Sequence, residues 1–400
     1  MTTARSGRAA SRRACGQDTC APTPAEALGA ARRLVVKIGS ALLAAESGDI
    51  RRSWLTGLAD DIACCRSRGQ EVIVVSSGAI SVGRRHLGLA GRRLRLEEKQ
   101  AAAATGQIRL AHAYQEALAS HGITVAQILL TPDDTEERRR HLNARATFAQ
   151  LLALGAVPVV NENDTIATAE IRFGDNDRLA ARVAQMTSAD MLVLLSDIDG
   201  LYSADPRKDP HARHIAVVRD IGPEIEAMAG EAAPGYSSGG MVTKLAAARI
   251  AMGAGCHMLI AEGRSAALPS GPLAAIAAGG RATLFLARGE PRSARKAWIA
   301  AAVNPSGAVV VDDGAARALR RGTSLLPAGV VGVEGVFERG DAVIIRTRSG
   351  GEAGRGLSAY SSADIRRIAG HKSGEIADIL GYRGRDEIVH RDDLVVTQPR

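Results

Sequence analysis

Leu34-Val35-Val36-Lys37-Ile38-Gly39-Ser40 is the stretch that decides how this 400-residue chain reads. Four apolar residues and one lysine run without alternation into a glycine and a serine. That is the profile of a short strand buried on both faces, not of a half-exposed one. The pattern returns in EVIVV (71–75), VPVV (157–160), MLVLL (191–195) and HMLI (257–260). Between the first two, Trp54, Leu58, Ile62 and Cys65 recur at helical spacing, and the Ala-rich run 100–120 suits a long helix. Strands alternating with helices specify an α/β fold, a mainly parallel sheet sandwiched by helices. Ligands of such sheets bind outside the carboxyl ends of the strands, so the residues just after each strand come first.

The first strand ends in Lys37, Gly39 and Ser40. A glycine without a Cβ lets backbone approach a bulky anion, although a solvated lysine and a turn would look the same in isolation. The second ends in Ser76, Ser77, Gly78, where a hydroxyl either caps the next helix or binds an anion. After VPVV come Asn161, Glu162, Asn163 and Asp164, more polarity than a plain turn needs. Gly174, Asp175, Asn176 and Asp177 follow ten residues on, ahead of the apolar helix 179–186; Asp175 or Asp177 could serve as its N-cap. MLVLL runs into Ser196, Asp197 and a polar loop ending in Asp205 and Pro206. Finally, Ser237, Ser238, Gly239, Gly240, Met241, Val242, Thr243 and Lys244 feed a helical stretch. The alternatives there are a flexible linker and a phosphate-binding helix start; the lysine in the first turn favours the second. The Walker A spacing is absent.

Composition narrows the function further. Fifty-one basic residues against 43 acidic ones give a formal +8, which favours anionic ligands. Aromatic residues make up only 3%, few rings for a binder of single-stranded nucleic acid built on stacking. No apolar run approaches the 18 residues that cross a bilayer. The cysteines, at 15, 20, 64, 65 and 256, are odd in number and lack paired spacing, so neither a disulfide framework nor a zinc cluster is indicated. A soluble protein of the reducing cytoplasm is expected. Residues 1–32 are rich in Arg, Ala, Ser and Thr and read as a disordered N-terminal tail, with an organelle transit peptide the other possibility.

The ordered series K-I-G-S, V-S-S-G-A-I, N-E-N-D, G-D-N-D, S-D-I-D-G-L-Y-S-A-D-P and S-G-G-M-V-T-K resembles the amino acid kinase family over 33–289. After a linker at 290–304, the runs D-D-G-A-A-R-A-L, G-x-S-L-L-P-A-G-V and I-R-R-I-A-G-H in 305–395 look like a second, smaller β-rich PUA domain. The resemblance implies ATP-dependent phosphorylation of the side-chain carboxylate of L-glutamate to glutamyl 5-phosphate, the first step of proline biosynthesis. It implies Lys37, Lys244 and Asp177 as catalytic residues, the aspartate organising the two lysines. It places glutamate on Ser77, Asp164 and Asn176, and the nucleotide on Lys37, Ser196, Asp197 and the loop Ser238, Gly239, Gly240, Met241, Val242, Thr243, Lys244. Mg²⁺ is implied as cofactor without a named protein ligand. Proline as feedback inhibitor and a homo-oligomer, dimer or tetramer, are also implied. Ser40 stands where a threonine is common in the family. The nearest alternatives are kinases of the same fold acting on aspartate, acetylglutamate, carbamate or a nucleoside monophosphate, which lack the combined N-E-N-D and G-D-N-D clusters with the appended domain. RNA binding by 305–395 is not expected, because the basic residues are scattered through both halves.

Overall fold

The computed structural model describes residues 21–45, 47–166, 176–230, 240–264, 271–291 and 305–397. Its larger sheet is built from β1 (Arg33–Ile38), β2 (Glu71–Val75), β3 (Val125–Leu130), β4 (Val157–Glu162), β5 (Met191–Ser196), β8 (Val217–Val218), β9 (His257–Glu262) and β10 (Ala282–Phe285). A small hairpin, β6 (Leu201–Tyr202) with β7 (His214–Ile215), lies between β5 and β8 in the chain. The sheet order is β3-β4-β2-β1-β5-β9-β10-β8. The six strands from β3 to β9 are mutually parallel, and β10 reverses direction against β9. The helices up to the end of this region are α1 (Pro24–Ala30), α2 (Ser40–Leu43), α3 (Arg52–Ser67), α4 (Ala79–His86), α5 (Leu96–Ala119), α6 (Pro132–Glu136), α7 (Arg138–Ala153), α8 (Asn176–Thr187), α9 (Pro223–Met228), α10 (Met241–Gly253) and α11 (Pro272–Ala277).

The two-residue period of a strand sorts β1 into two layers. Leu34, Val36 and Ile38 pack with Leu28, Leu58 and Ile62, whereas Val35 packs with Ala180, Ala184, Ala247 and Ala248 of α8 and α10. Lys37 shares the parity of Val35, so its side chain is delivered to the α8/α10 layer at the strand's end. This placement follows from register alone.

The crossing of α4 on α5 is unusually close. A Cβ on Gly83 would lie 1.7 Å from the Ala102 carbonyl oxygen, and one on Gly106 would lie 1.8 Å from that of Ala79. Only glycine fits at either point, and the contact holds α5 against the start of α4. Gly78, with φ +92°, caps α4 in the left-handed conformation that glycine tolerates.

The C-terminal unit is a five-stranded sheet, β12-β11-β13-β14-β15, formed by β11 (Gly307–Val311), β12 (Val330–Gly335), β13 (Ala342–Thr347), β14 (Glu352–Leu357) and β15 (Leu394–Val396). It carries α12 (Asp313–Arg320), α13 (Ser362–Ile368) and α14 (Ile376–Leu380). It docks on one face of α7. Leu142 packs with Ala342, Leu357 and Val395, and Arg145 Nη1 lies 2.6 Å from Asp393 Oδ1, both side chains largely buried.

The expected tail differs from the structure at its end. Thr23 and Glu26 form a capping box that starts α1 behind Pro24, and Ala27, Leu28 and Ala31 are buried in the main core. Residues 1–20, with Cys15 and Cys20, lie outside the described residues, as do 292–304 of the expected linker. Cys64, Cys65 and Cys256 are free thiols. Among the described residues, no helix is long and apolar enough to cross a membrane.

Candidate active site

The amino ends of α8 and α10 meet at the carboxyl ends of β1 and β5, and three charged groups converge there. Asp177, in the first turn of α8, places Oδ1 2.7 Å from Lys37 Nζ and Oδ2 3.3 Å from Lys244 Nζ. The Thr243 hydroxyl donates to the same Oδ2 at 2.9 Å. Asp177 is 1% exposed, Lys244 4% and Lys37 8%, so water barely screens the triad. Burial alone would raise the Asp177 pKa, but the ammonium groups of Lys37 and Lys244 outweigh it and hold the carboxyl below its usual range. One carboxylate between two lysines leaves one net positive charge, and the positive ends of α8 and α10 add to it. Such a site suits a polyanion. Asp177 therefore makes ion pairs with the lysines rather than acting as an N-cap.

Ser196 closes β5 and is buried, its hydroxyl donating to Asp197 Oδ1 at 3.1 Å. The Gly39 N–H donates to the Leu195 carbonyl and that of Gly263 to the Ser196 carbonyl, so the loops after β1, β5 and β9 lie level. Of the glycine-rich segment, Gly240 to Lys244 are described: Gly240 is the N-cap of α10, and Met241, Val242, Thr243 and Lys244 form its first turn. Ser238 and Gly239 lie outside the described residues. Among the described residues there is no cluster of three or more His, Cys, Asp or Glu that could hold a metal ion.

Beside the lysines lies a second polar group. The Asn176 amide nitrogen donates to the Ser76 carbonyl at 2.7 Å, to Ser77 Oγ at 2.8 Å and to Asn161 Oδ1 at 3.1 Å. Ser77 thus serves this network and does not cap α4, whose cap is Gly78. Asp164, 9% exposed, is pushed up to about 7, mainly by burial and further by the charge of Glu162. A buried carboxylate with a neighbouring negative charge is a receptor for a cationic group. Ser77, Asn176 and Asp177 are brought together directly, through the succession of Asn176 and Asp177 at the start of α8.

Comparison with known proteins fits this geometry. The amino acid kinase family model matches residues 32–262 and the PUA domain model matches 307–380. The chain belongs to the amino acid kinase family. The glutamate 5-kinase of Paramagnetospirillum magneticum is 66% identical over 370 residues, spanning 92% of this chain and 99% of that protein. Those of Gluconobacter oxydans and Paracoccus denitrificans are 60% and 58% identical, spanning 95% and 92% of this chain and 100% and 98% of those proteins. Nearly the whole of this amino acid kinase is therefore matched, appended domain included.

Two residues of the site gave no usable signal in the sequence. Gln107 and Tyr114, seven apart on α5, reach Asn161 and Ser76 from behind. Glutamine is a good helix former, and inside an Ala-rich helix it reads as a surface position.

Proposed function

We propose that this chain catalyses ATP-dependent phosphorylation of the side-chain carboxylate of L-glutamate, giving glutamyl 5-phosphate as the first step of proline synthesis. The observation that carries the reading is the pair of lysines, 207 positions apart in the chain, gripped by the one carboxylate of Asp177 next to an acceptor-rich recess. In support, the relatives named glutamate 5-kinase align over nearly the full length. The proposed organisation is a kinase domain at 33–289, a linker at 290–304 and a PUA-like domain at 305–395.

A free glutamate side chain has a pKa of about 4.3, so its oxygen is a nucleophile at neutral pH without a general base. The obstacle is electrostatic, because a carboxylate must approach a triphosphate. Lys37 and Lys244 offset that repulsion, and Asp177 keeps the two ammonium groups at one point. A unit charge pair at about 4 Å in an effective dielectric near 20 interacts by about 4 kcal/mol, and about 1.4 kcal/mol of selective stabilisation is tenfold in rate. Ser196, Asp197 and the 238–244 loop would hold the nucleotide. Asp164 and Asn176 would take the α-ammonium group of glutamate and Ser77 would complete that pocket. The single net positive charge of the Lys37, Lys244 and Asp177 group does not balance a triphosphate, which fits a requirement for Mg²⁺. When bound, Mg²⁺ would supply further positive charge to the phosphate oxygens, and it commonly does so through the substrate and water.

Trapping the acyl phosphate with hydroxylamine tests the reading. Glutamate should give hydroxamate, while aspartate, acetylglutamate and carbamate should not. Lys244→Ala should leave the fold intact and lower kcat by about 10² to 10³, the loss of about 3 to 4 kcal/mol of transition-state stabilisation. Turnover within threefold of wild type would reject the role. The same assay with added proline reads out the feedback inhibition that the family resemblance implies.

A further inference from the structure

We propose that Gln107 is a positioning residue that holds the far end of a buried amide relay in place, and through it supports the recognition of the substrate's ammonium group. The inference rests on the reading of this recess as the glutamate site.

The relay starts from an atom whose role is fixed. The Ser76 carbonyl can only accept, so Asn176 must face it with its Nδ2, at 2.7 Å. That NH₂ also meets Asn161 at 3.1 Å, so Asn161 must present Oδ1 there. The other end of the Asn161 amide is then a donor, and it reaches Gln107 Oε1 at 2.7 Å. Each amide orientation dictates the next. Gln107 is the member that keeps Asn161 from turning over, since it supplies the acceptor that the Asn161 NH₂ requires.

The consequence appears at the other end of Asn176. With the two hydrogens of its NH₂ shared among three acceptors, Oδ1 is left buried and without a hydrogen-bond partner among the described residues. Asn176 is 6% exposed, Asn161 2% and Gln107 9%, so water is a poor substitute. A buried acceptor left unpaired is unfavourable, and a ligand that donates there relieves it. Together with the buried carboxylate of Asp164, which the same reading assigns to the ammonium group, this unfilled acceptor suits a primary ammonium, with its three donors and no acceptor. If Asn161 turned over, its NH₂ would oppose that of Asn176, and the Asn176 amide would lose one of its three acceptors and be pushed away from its place.

The test compares glutamate with glutarate, which keeps both carboxylates and lacks only the amino group. Gln107→Met preserves length and volume but removes the amide acceptor. The expected result is a glutamate KM raised about tenfold, with kcat within twofold, the ATP KM unchanged, and the glutamate-to-glutarate ratio of kcat/KM reduced about tenfold. Gln107→Glu retains an acceptor at the same reach and should restore that ratio to within threefold of wild type. If Gln107→Met does not fold, Gln107→Asn, whose amide stops one methylene short, reads the same ratio. An unchanged ratio in the acceptor-deficient variant, a parallel loss for both acids, or failure of the Glu variant to restore the ratio would overturn the proposal. Asn176→Ala separates the two levels of inference. If it collapses the ratio while Gln107→Met does not, the relay alone is wrong; if it leaves the ratio intact, the glutamate reading of the recess falls and the relay falls with it.

Discussion

Asp164→Asn should make the protein more stable and a worse glutamate binder at the same time. The carboxyl of Asp164 is buried, its pKa is pushed up from 3.8 to about 7 by desolvation and by Glu162, and no described residue gives it a cationic partner. The folded state therefore binds this proton more tightly than the unfolded chain does. Stability falls as pH rises from about 3.8 to about 7 and is flat above, the opposite of a salt-bridged aspartate. At about 1.36 kcal/mol per pKa unit, the interval sets a ceiling of about 4 kcal/mol at pH 8, and of about 1.7 kcal/mol at pH 5. Relaxation and water entry halve such figures, leaving about 2 and about 0.8 kcal/mol. The neutral, isosteric amide has no such cost at either pH. For a domain of this size Tm moves about 2 to 4 °C per kcal/mol, so the variant should melt about 4 to 8 °C higher at pH 8 and only about 2 to 3 °C higher at pH 5. Glutamate should protect it less than it protects wild type, with KM raised tenfold or more at pH 8. Wild-type affinity for glutamate should likewise fall on acidification below pH 7, as the carboxylate is neutralised. The assay is thermal melting at the two pH values with and without glutamate, alongside steady-state kinetics. A variant that melts no higher than wild type at pH 8, or one that keeps its glutamate KM, refutes the idea that an unpaired charge is held in reserve for the substrate.

Three further outcomes are expected. Gly106→Ala drives a Cβ to within 1.8 Å of the Ala79 carbonyl, so α4 must separate from α5; Tm should fall by 5 °C or more with a raised glutamate KM, because the Ser77 loop leads into α4. Arg145→Ala removes the guanidinium that lies 2.6 Å from the buried carboxylate of Asp393; a cost of about 3 to 5 kcal/mol should appear as a second, lower thermal transition for the C-terminal unit. Asp177→Asn removes the counter-ion between Lys37 and Lys244, and kcat should fall about 10²-fold while the ATP KM changes less than threefold, measured by steady-state turnover.

Much of the architecture was legible because buried parallel strands advertise themselves as unbroken apolar runs. β1, β2, β4, β5 and β9 all carry such runs. β3 does not: at the sheet's edge only Leu130 of its six residues is buried, and Gln127 interrupts VAQILL, so it lacks the unbroken apolar run that marks a buried strand. α1 was hidden because the Arg-rich composition before it resembles a tail, and the short capping signal of Thr23, Pro24 and Glu26 was outweighed. The lysine pair could be anticipated from a resemblance to a family and from strand ends, but their shared carboxylate could be located only by the convergence of two helix starts. The contact of Arg145 with Asp393 joins residues 248 positions apart and leaves no local trace. Gln107 is invisible for a different reason. Its sequence context is a surface-like helix, and only the close α4–α5 crossing at Gly83 and Gly106 turns that face inward.

The layout of charge explains why these pieces belong to one site. A reaction between two anions needs a region that attracts a triphosphate and a region that holds an amino acid whose reactive end is negative. A uniformly positive pocket would serve the first and repel the ammonium group of the second. Here the signs are separated by one helix start: Asp177 faces the lysines, and its neighbour Asn176 turns to Ser76, Ser77 and Asn161 with an acceptor that no described residue fills. Consecutive residues in the first turn of α8 point to different sides of the helix, about 100° apart, so one turn of backbone can address both substrates. Moving either residue by one position would put the carboxylate in the recess and the amide among the lysines, where neither has the right charge. The order Asn then Asp at positions 176 and 177 is thus a statement about polarity, and the relay that fixes the orientation of Asn176 extends the same logic to an atom that composition alone leaves undetermined.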